Sequence, residues 1–222
     1  MKYKISPSLM CMDLLNIESQ IKTLNPYVYS YHVDIIDGVY FKNFSFTPPF
    51  MKAVRKVTSA KLDAHVMLVD PFYYLEEMVD CGADCVSIHS EKLINEAFRT
   101  SKFLHERNKE FGVVLCPEIG EETLMPYICE IDKITVMTEE PGFAGGDFIP
   151  GTLDKIKKLV KIRKERDLNF LIEIDGVVNK EHFREYKEAG VDVYIVGNRG
   201  LFSLHEDLDT AIKMTLKQIE EA

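Results

Sequence analysis

The feature that most constrains this chain is a repeated alternation. Short apolar, β-branched runs recur at residues 3–9, 29–36, 61–68, 85–89, 111–116, 132–137, 170–175 and 193–197. Stretches with helical spacing fall between most of them, most plainly at 71–80, 92–108, 151–166, 180–189 and 206–221, with weaker candidates at 47–58 and 121–130. Runs of four to eight residues suit strands, and the longer periodic segments between them suit helices. Pro71 reads as a helix-start proline, and Gly82 and Gly190 as helix ends. Eight strand–helix units in 222 residues predict a (β/α)8 barrel of the α/β class. A doubly wound open sheet is the competing arrangement, because periodicity alone cannot close a sheet. No linker or low-complexity stretch divides the chain, so residues 1–222 are expected to form one barrel domain.

The second run carries an anomaly. The stretch YSYHVDIIDG (29–38) is apolar enough for burial yet holds His32, Asp34 and Asp37. Burying an unpaired charge costs several kcal/mol, on the order of the whole margin of stability, so these positions need a partner. In a barrel, reactive groups sit at the C-terminal ends of strands. Ser8, His32 with Asp34, His65 and Asp175 all fall near such ends. His32 and Asp34 are two apart and share one side of their strand. Each residue alone has a structural reading. A strand histidine is commonly a satisfied core residue, and Asp37 and Asp175, each before a glycine, suit turns. Together, two histidines and two aspartates suit one divalent ion such as Zn²⁺, Mn²⁺ or Fe²⁺.

A glycine-rich stretch, EPGFAGGDFIP (140–150), follows the sixth run, and DGVV (175–178) and VGNRG (196–200) follow the seventh and eighth. Backbone N–H groups in such loops bind anions, and barrel phosphate sites use the late loops. A small anionic ligand therefore fits despite a net charge of −9, which argues against nucleic acid or an anionic membrane as partner. The five cysteines form no C-x-x-C pair, so neither a disulfide framework nor a zinc knot is expected. The opening MKYKISPSLM lacks a hydrophobic signal region, and a cytoplasmic setting is the default expectation.

The motifs SPSLMCMDL (6–14), HVDIIDG (32–38), DAHVML (63–68), KITVMTEEPGFAGGDFIP (133–150), IEIDG (172–176) and IVGNRGLF (195–202) resemble the ribulose-phosphate 3-epimerase family along essentially the whole chain. The resemblance implies a ribulose-phosphate-binding type of TIM barrel. It also implies a 1,1-proton transfer at C3 of a ketose phosphate through a cis-enediolate. His32, Asp34, His65 and Asp175 match the family's metal ligands, the ion being Zn, Mn, Fe, Co or Mg. Asp34 and Asp175 match its acid/base pair. Ser8 and His65 match substrate contacts, with Met67 and Met137 as caps. Gly142, Phe143, Ala144, Gly145, Gly176, Val177, Gly197, Asn198 and Arg199 match the substrate and phosphate loops.

Within the family, SLMCMDL, KITVMT, PGFAG and VG-x-x-GLF most resemble members acting on D-allulose 6-phosphate and D-fructose 6-phosphate. The D-ribulose 5-phosphate and D-xylulose 5-phosphate pair is the alternative. A metal-free or non-catalytic sugar-phosphate-binding barrel is a second one. The family commonly has Met at Ile36, Gln at Gly146 and Gly-Ser or Thr-Ser at Asn198-Arg199. A homo-oligomer, dimer or hexamer, is the implied assembly.

Overall fold

The computed structural model describes residues 3–143 and 145–222. Eight parallel strands form one sheet: β1 (Lys4–Pro7), β2 (Ser30–Ile36), β3 (Lys61–Met67), β4 (Cys85–His89), β5 (Glu110–Leu115), β6 (Lys133–Met137), β7 (Leu171–Asp175) and β8 (Val193–Val196). The spatial order runs β1-β8-β7-β6-β5-β4-β3-β2. The two ends then meet. Ser8 pairs with His32 in a parallel bridge, and Tyr29 N–H donates to the Ile5 carbonyl at 2.9 Å. The sheet is thus a closed (β/α)8 barrel rather than an open doubly wound sheet. Closure removes the sheet edges that would otherwise leave backbone groups unpaired.

Seven α-helices among the described residues pack outside: α1 (Ile17–Leu24), α2 (Pro48–Arg55), α3 (Leu75–Asp80), α4 (Ala97–His105), α5 (Gly151–Glu165), α6 (Phe183–Ala189) and α7 (Leu208–Glu221). Each turns an apolar stripe to the barrel, as with Ile21 and Leu24, Ile156 and Leu159, or Ala211 and Ile212, all fully buried. Asp207 caps α7 by accepting from Thr210 N–H at 2.9 Å. Gly190 ends α6 at φ 95°, a left-handed conformation that costs glycine little.

The differences from the sequence reading have local causes. Helix α1 was not among the segments singled out, because its apolar stripe is short. Residues 121–130 form two 3₁₀ turns, Glu121–Leu124 and Ile128–Glu130, instead of one helix. Pro126 lies between them and lacks the N–H that a continuous helix needs. Pro71 does not start α3. The chain first makes a turn in which Asp70 accepts from Tyr73 N–H at 3.2 Å, and the helix begins at Leu75. Helix α4 starts at Ala97, after Asn95 takes up a left-handed φ of 67°.

No helix among the described residues is long and apolar enough to cross a membrane.

Candidate active site

The barrel's interior is unusually polar. Alternation within β2 sends Ser30, His32 and Asp34 to the same side, and the same step links Asp63 with His65, Ser87 with His89, Lys133 with Thr135, and Glu173 with Asp175. Strand register sets His32 beside Asp63, Asp34 beside His65, and Met137 beside Asp175. These inward residues form layers, with the lower layer supporting the upper.

At the upper layer four side chains converge. His32 Nε2 lies 3.1 Å from His65 Nδ1 and 3.2 Å from Asp34 Oδ1. His65 Nδ1 is 3.2 Å from Asp34 Oδ1. Asp175 Oδ2 stands 3.5 Å from His32 Nε2 and 3.7 Å from His65 Nδ1. Four donors held at about 2.0–2.2 Å from one centre would stand about 3.3–3.6 Å apart, so the cluster has the spacing of a mixed nitrogen–oxygen ligand set. Two carboxylates and two imidazoles also give the net negative charge a divalent cation needs. The residues present fit such an ion.

Neighbouring groups fix the orientation of each member. Burial favours the neutral form of Asp63, but the Lys133 ammonium and His32 outweigh it and hold its carboxyl below the usual range. An ionised Asp63 can only accept, so His32 Nδ1–H donates to its Oδ2 at 3.1 Å, which leaves Nε2 as the ring atom that would coordinate an ion. Burial also disfavours a charged Lys133. The carboxylates of Asp63 and Glu173 outweigh that and raise its pKa well above the lysine range. On the other side His65 Nε2 faces His89 Nε2 at 2.9 Å, and His89 Nδ1 faces Cys116 Sγ at 3.2 Å. Burial depresses the His89 pKa well below the usual value, so His89 is neutral. A neutral His89 donating from Nδ1 to sulfur accepts from His65 Nε2–H, which frees His65 Nδ1 for the cluster.

The two aspartates share one device. In each, one oxygen is held by a protein donor and the other turns inward. Ser8 Oγ–H donates to Asp34 Oδ2 at 3.1 Å, and Gly176 N–H donates to Asp175 Oδ1 at 2.8 Å. Asp37 does not join them. It accepts from Val39, Tyr40 and Val69 N–H groups at 2.8, 2.9 and 2.7 Å, the work of a turn residue that ties two loops together.

Above the cluster opens a cavity of about 210 Å³. Ser8, Asp34, His65, Met67, Met137 and Asp175 line its floor, while Gly142, Phe143, Gly145, Gly176, Val177, Gly197, Asn198 and Arg199 line its rim. His32 lies beneath the floor and is fully buried. Ala144 falls outside the described residues. Gly142, Gly145 and Gly176 adopt φ of 105°, 97° and 108°, which side-chain-bearing residues rarely adopt.

The sequence reading passed over Asp63, Lys133, Glu173, His89 and Glu139. The available signal was charge at alternate positions of a strand. Lys133 and Asp63 sit at or near strand starts, where charge ordinarily means solvent.

A closed parallel barrel whose cavity joins two carboxylates, a cluster with metal-ligand spacing and a glycine-rich rim has the parts of a proton-transfer enzyme. The family model described as the ribulose-phosphate 3 epimerase family matches residues 4–202. The chain belongs to that family, and it is an epimerase. The ribulose-phosphate 3-epimerase of Bacillus subtilis is 32% identical over 197 residues, covering 88% of this chain and 90% of that one. The protein of the same name from Chlamydia trachomatis is 30% identical over 221 residues, covering 98% and 93%. Among solved structures, 3-keto-L-gulonate-6-phosphate decarboxylase from Vibrio cholerae superposes with a TM-score of 0.75 at 15% identity, covering 100% of this chain and 99% of that one. At that identity the likeness speaks for the fold alone. The curated relatives carry the pentose-phosphate name, so they lend no support to the hexose-phosphate expectation.

Proposed function

We propose that this chain inverts C3 of a ketose phosphate, interconverting D-ribulose 5-phosphate and D-xylulose 5-phosphate. The observation that carries the reading is the pair Asp34 and Asp175, each with one oxygen anchored and one turned onto the His32–His65 cluster. Inversion needs a base on one face of C3 and an acid on the other. One carboxylate takes the C3 proton, and the bond's electron pair moves toward the C2 oxygen to give an enediolate. The other carboxylate delivers a proton to the opposite face. His32, Asp34, His65 and Asp175 would hold a divalent ion, which would supply positive charge where the oxygen anion develops. Met67 and Met137 bound the floor, and the backbone N–H groups of the glycine-rich rim receive the phosphate. Arg199, exposed at the rim, adds a cation there.

The names of the relatives support the pentose pair. A second reading, D-allulose 6-phosphate and D-fructose 6-phosphate, is favoured by the phrases SLMCMDL, KITVMT, PGFAG and VG-x-x-GLF. The proposal includes one barrel domain across residues 1–222 acting in the cytoplasm as a homo-oligomer. Coupled assays of the metal-loaded protein with both ketose phosphates test it. The pentose reading expects the higher kcat/KM with D-ribulose 5-phosphate, and a higher value with D-allulose 6-phosphate replaces it with the second. Turnover of neither removes both.

A further inference from the structure

One acidic residue stands where the reaction above has no use for it. Glu139 follows β6 and lines the cavity rim, yet it is only 5% exposed. Its Oε2 has no hydrogen-bond partner among the described residues. The side chain lies between two glycines that make room for it. A Cβ on Gly176 would stand 2.7 Å from Glu139 Cγ, and a Cβ on Gly146 would stand 2.8 Å from Glu139 Oε2. A side chain at Gly176 would crowd Glu139 Cγ and backbone, and one at Gly146 would have to displace the Glu139 carboxylate. The carboxylate therefore sits among the same glycine backbones that form the anion rim. The amides of Gly146 and Gly145 and the Arg199 guanidinium favour its charge, while burial and the Asp175 charge oppose it more strongly.

We propose that the Glu139 carboxylate occupies the anion cradle of this chain and competes with the substrate's phosphate for it, which makes Glu139 a determinant of phosphate affinity. The inference rests on the sugar-phosphate reading above. A phosphate and a carboxylate both draw on backbone N–H groups and a nearby guanidinium, and both are anions. They cannot share the cradle without like-charge repulsion in a poorly solvated pocket. The incoming phosphate must turn Glu139 out, and the cost of doing so appears as weaker binding.

The test uses the full-length, metal-loaded protein and inorganic phosphate as probe. Phosphate binding is measured by calorimetry and by competition against D-ribulose 5-phosphate and D-allulose 6-phosphate, for wild type, Glu139→Gln and Glu139→Val. The inference expects phosphate Kd and ketose-phosphate KM to fall on the order of tenfold in the variants, since a like charge has been removed from the cradle. Unchanged or weaker phosphate binding overturns it, because Glu139 would then be a bystander or an aid that orients Arg199. Glu139→Val decides the matter if Glu139→Gln does not fold. Failure of phosphate to bind, or to compete with either ketose phosphate, in wild type and both variants alike would instead remove the phosphate reading itself.

Discussion

His32 is buried, charged on both flanks, and oriented by a single carboxylate. Its Nδ1–H is held by Asp63, which also accepts from Lys133 and, at 2.7 Å, from Ser87 Oγ–H. Removing the Asp63 charge frees the ring to take the wrong tautomer and leaves Lys133 with Glu173 alone. Asp63→Asn is expected to weaken divalent-ion binding about 10- to 100-fold, read by titration against a chelating indicator. Unaltered affinity would show that Asp63 does not set the tautomer. Glu139 gives a second residue-scale prediction. Its burial and the Asp175 charge raise its carboxyl to about 6. The folded state therefore holds a proton that the unfolded chain has already lost between about pH 4.3 and 6, so this group costs stability as pH rises through that window. In metal-stripped protein, Glu139→Gln is expected to match wild type near pH 4 and to exceed it by about 1 kcal/mol at pH 7, after allowance for solvent screening. Parallel melting curves at every pH would contradict this.

At the scale of elements, most of the architecture was legible because parallel strands buried on both faces read as short, dense β-branched runs. Their ends agree with the reading to within one or two residues. What escaped was set by single residues or by closure. Pro126 breaks a helical pattern into two turns. Lys133 and Asp63 look like boundary charges until the closed barrel shows them pointing inward. The glycine-rich rim was legible as composition, but the Glu139–Gly146–Gly176 arrangement is a three-dimensional fit that no spacing announces. The turn Asn198–Phe202, a π-helical turn after β8, rests on another such fit. A Cβ on Gly200 would meet the Val178 carbonyl oxygen at 2.3 Å, and Thr215 Oγ–H ties the Gly200 carbonyl to α7 at 2.7 Å. Backbone cannot step aside as a flexible side chain can. Gly200→Ala is expected to cost about 1–3 kcal/mol and to raise KM for the ketose phosphate through the displaced rim. Thermal melting and steady-state kinetics check both, and an unshifted melting temperature would show that the turn is loosely held.

The whole molecule wraps a buried apolar layer, between sheet and helices, around a barrel interior that carries charge. The closed sheet holds Asp63, Lys133 and Glu173 at the base, the His32–Asp34–His65–Asp175 cluster above them, and the glycine rim at the top. Charge is thereby stacked along the barrel axis where side chains alone can balance it. An ion bound only by the folded state adds stability in proportion to the logarithm of its concentration over Kd. Stripping divalent ions is therefore expected to lower the melting temperature, with recovery on adding Zn²⁺ or Mn²⁺; a melting temperature indifferent to both would count against the cluster as a metal site. The central claim is inversion at C3 by two carboxylates through proton exchange. Its most direct test is to incubate the metal-loaded protein with D-ribulose 5-phosphate, and separately with D-allulose 6-phosphate, in D₂O and follow the sugar by NMR. The account predicts the C3 epimer carrying one deuterium at C3 and none gained at other carbons. Absence of both epimer and C3 deuterium with either sugar, from protein shown to hold its ion, would contradict it.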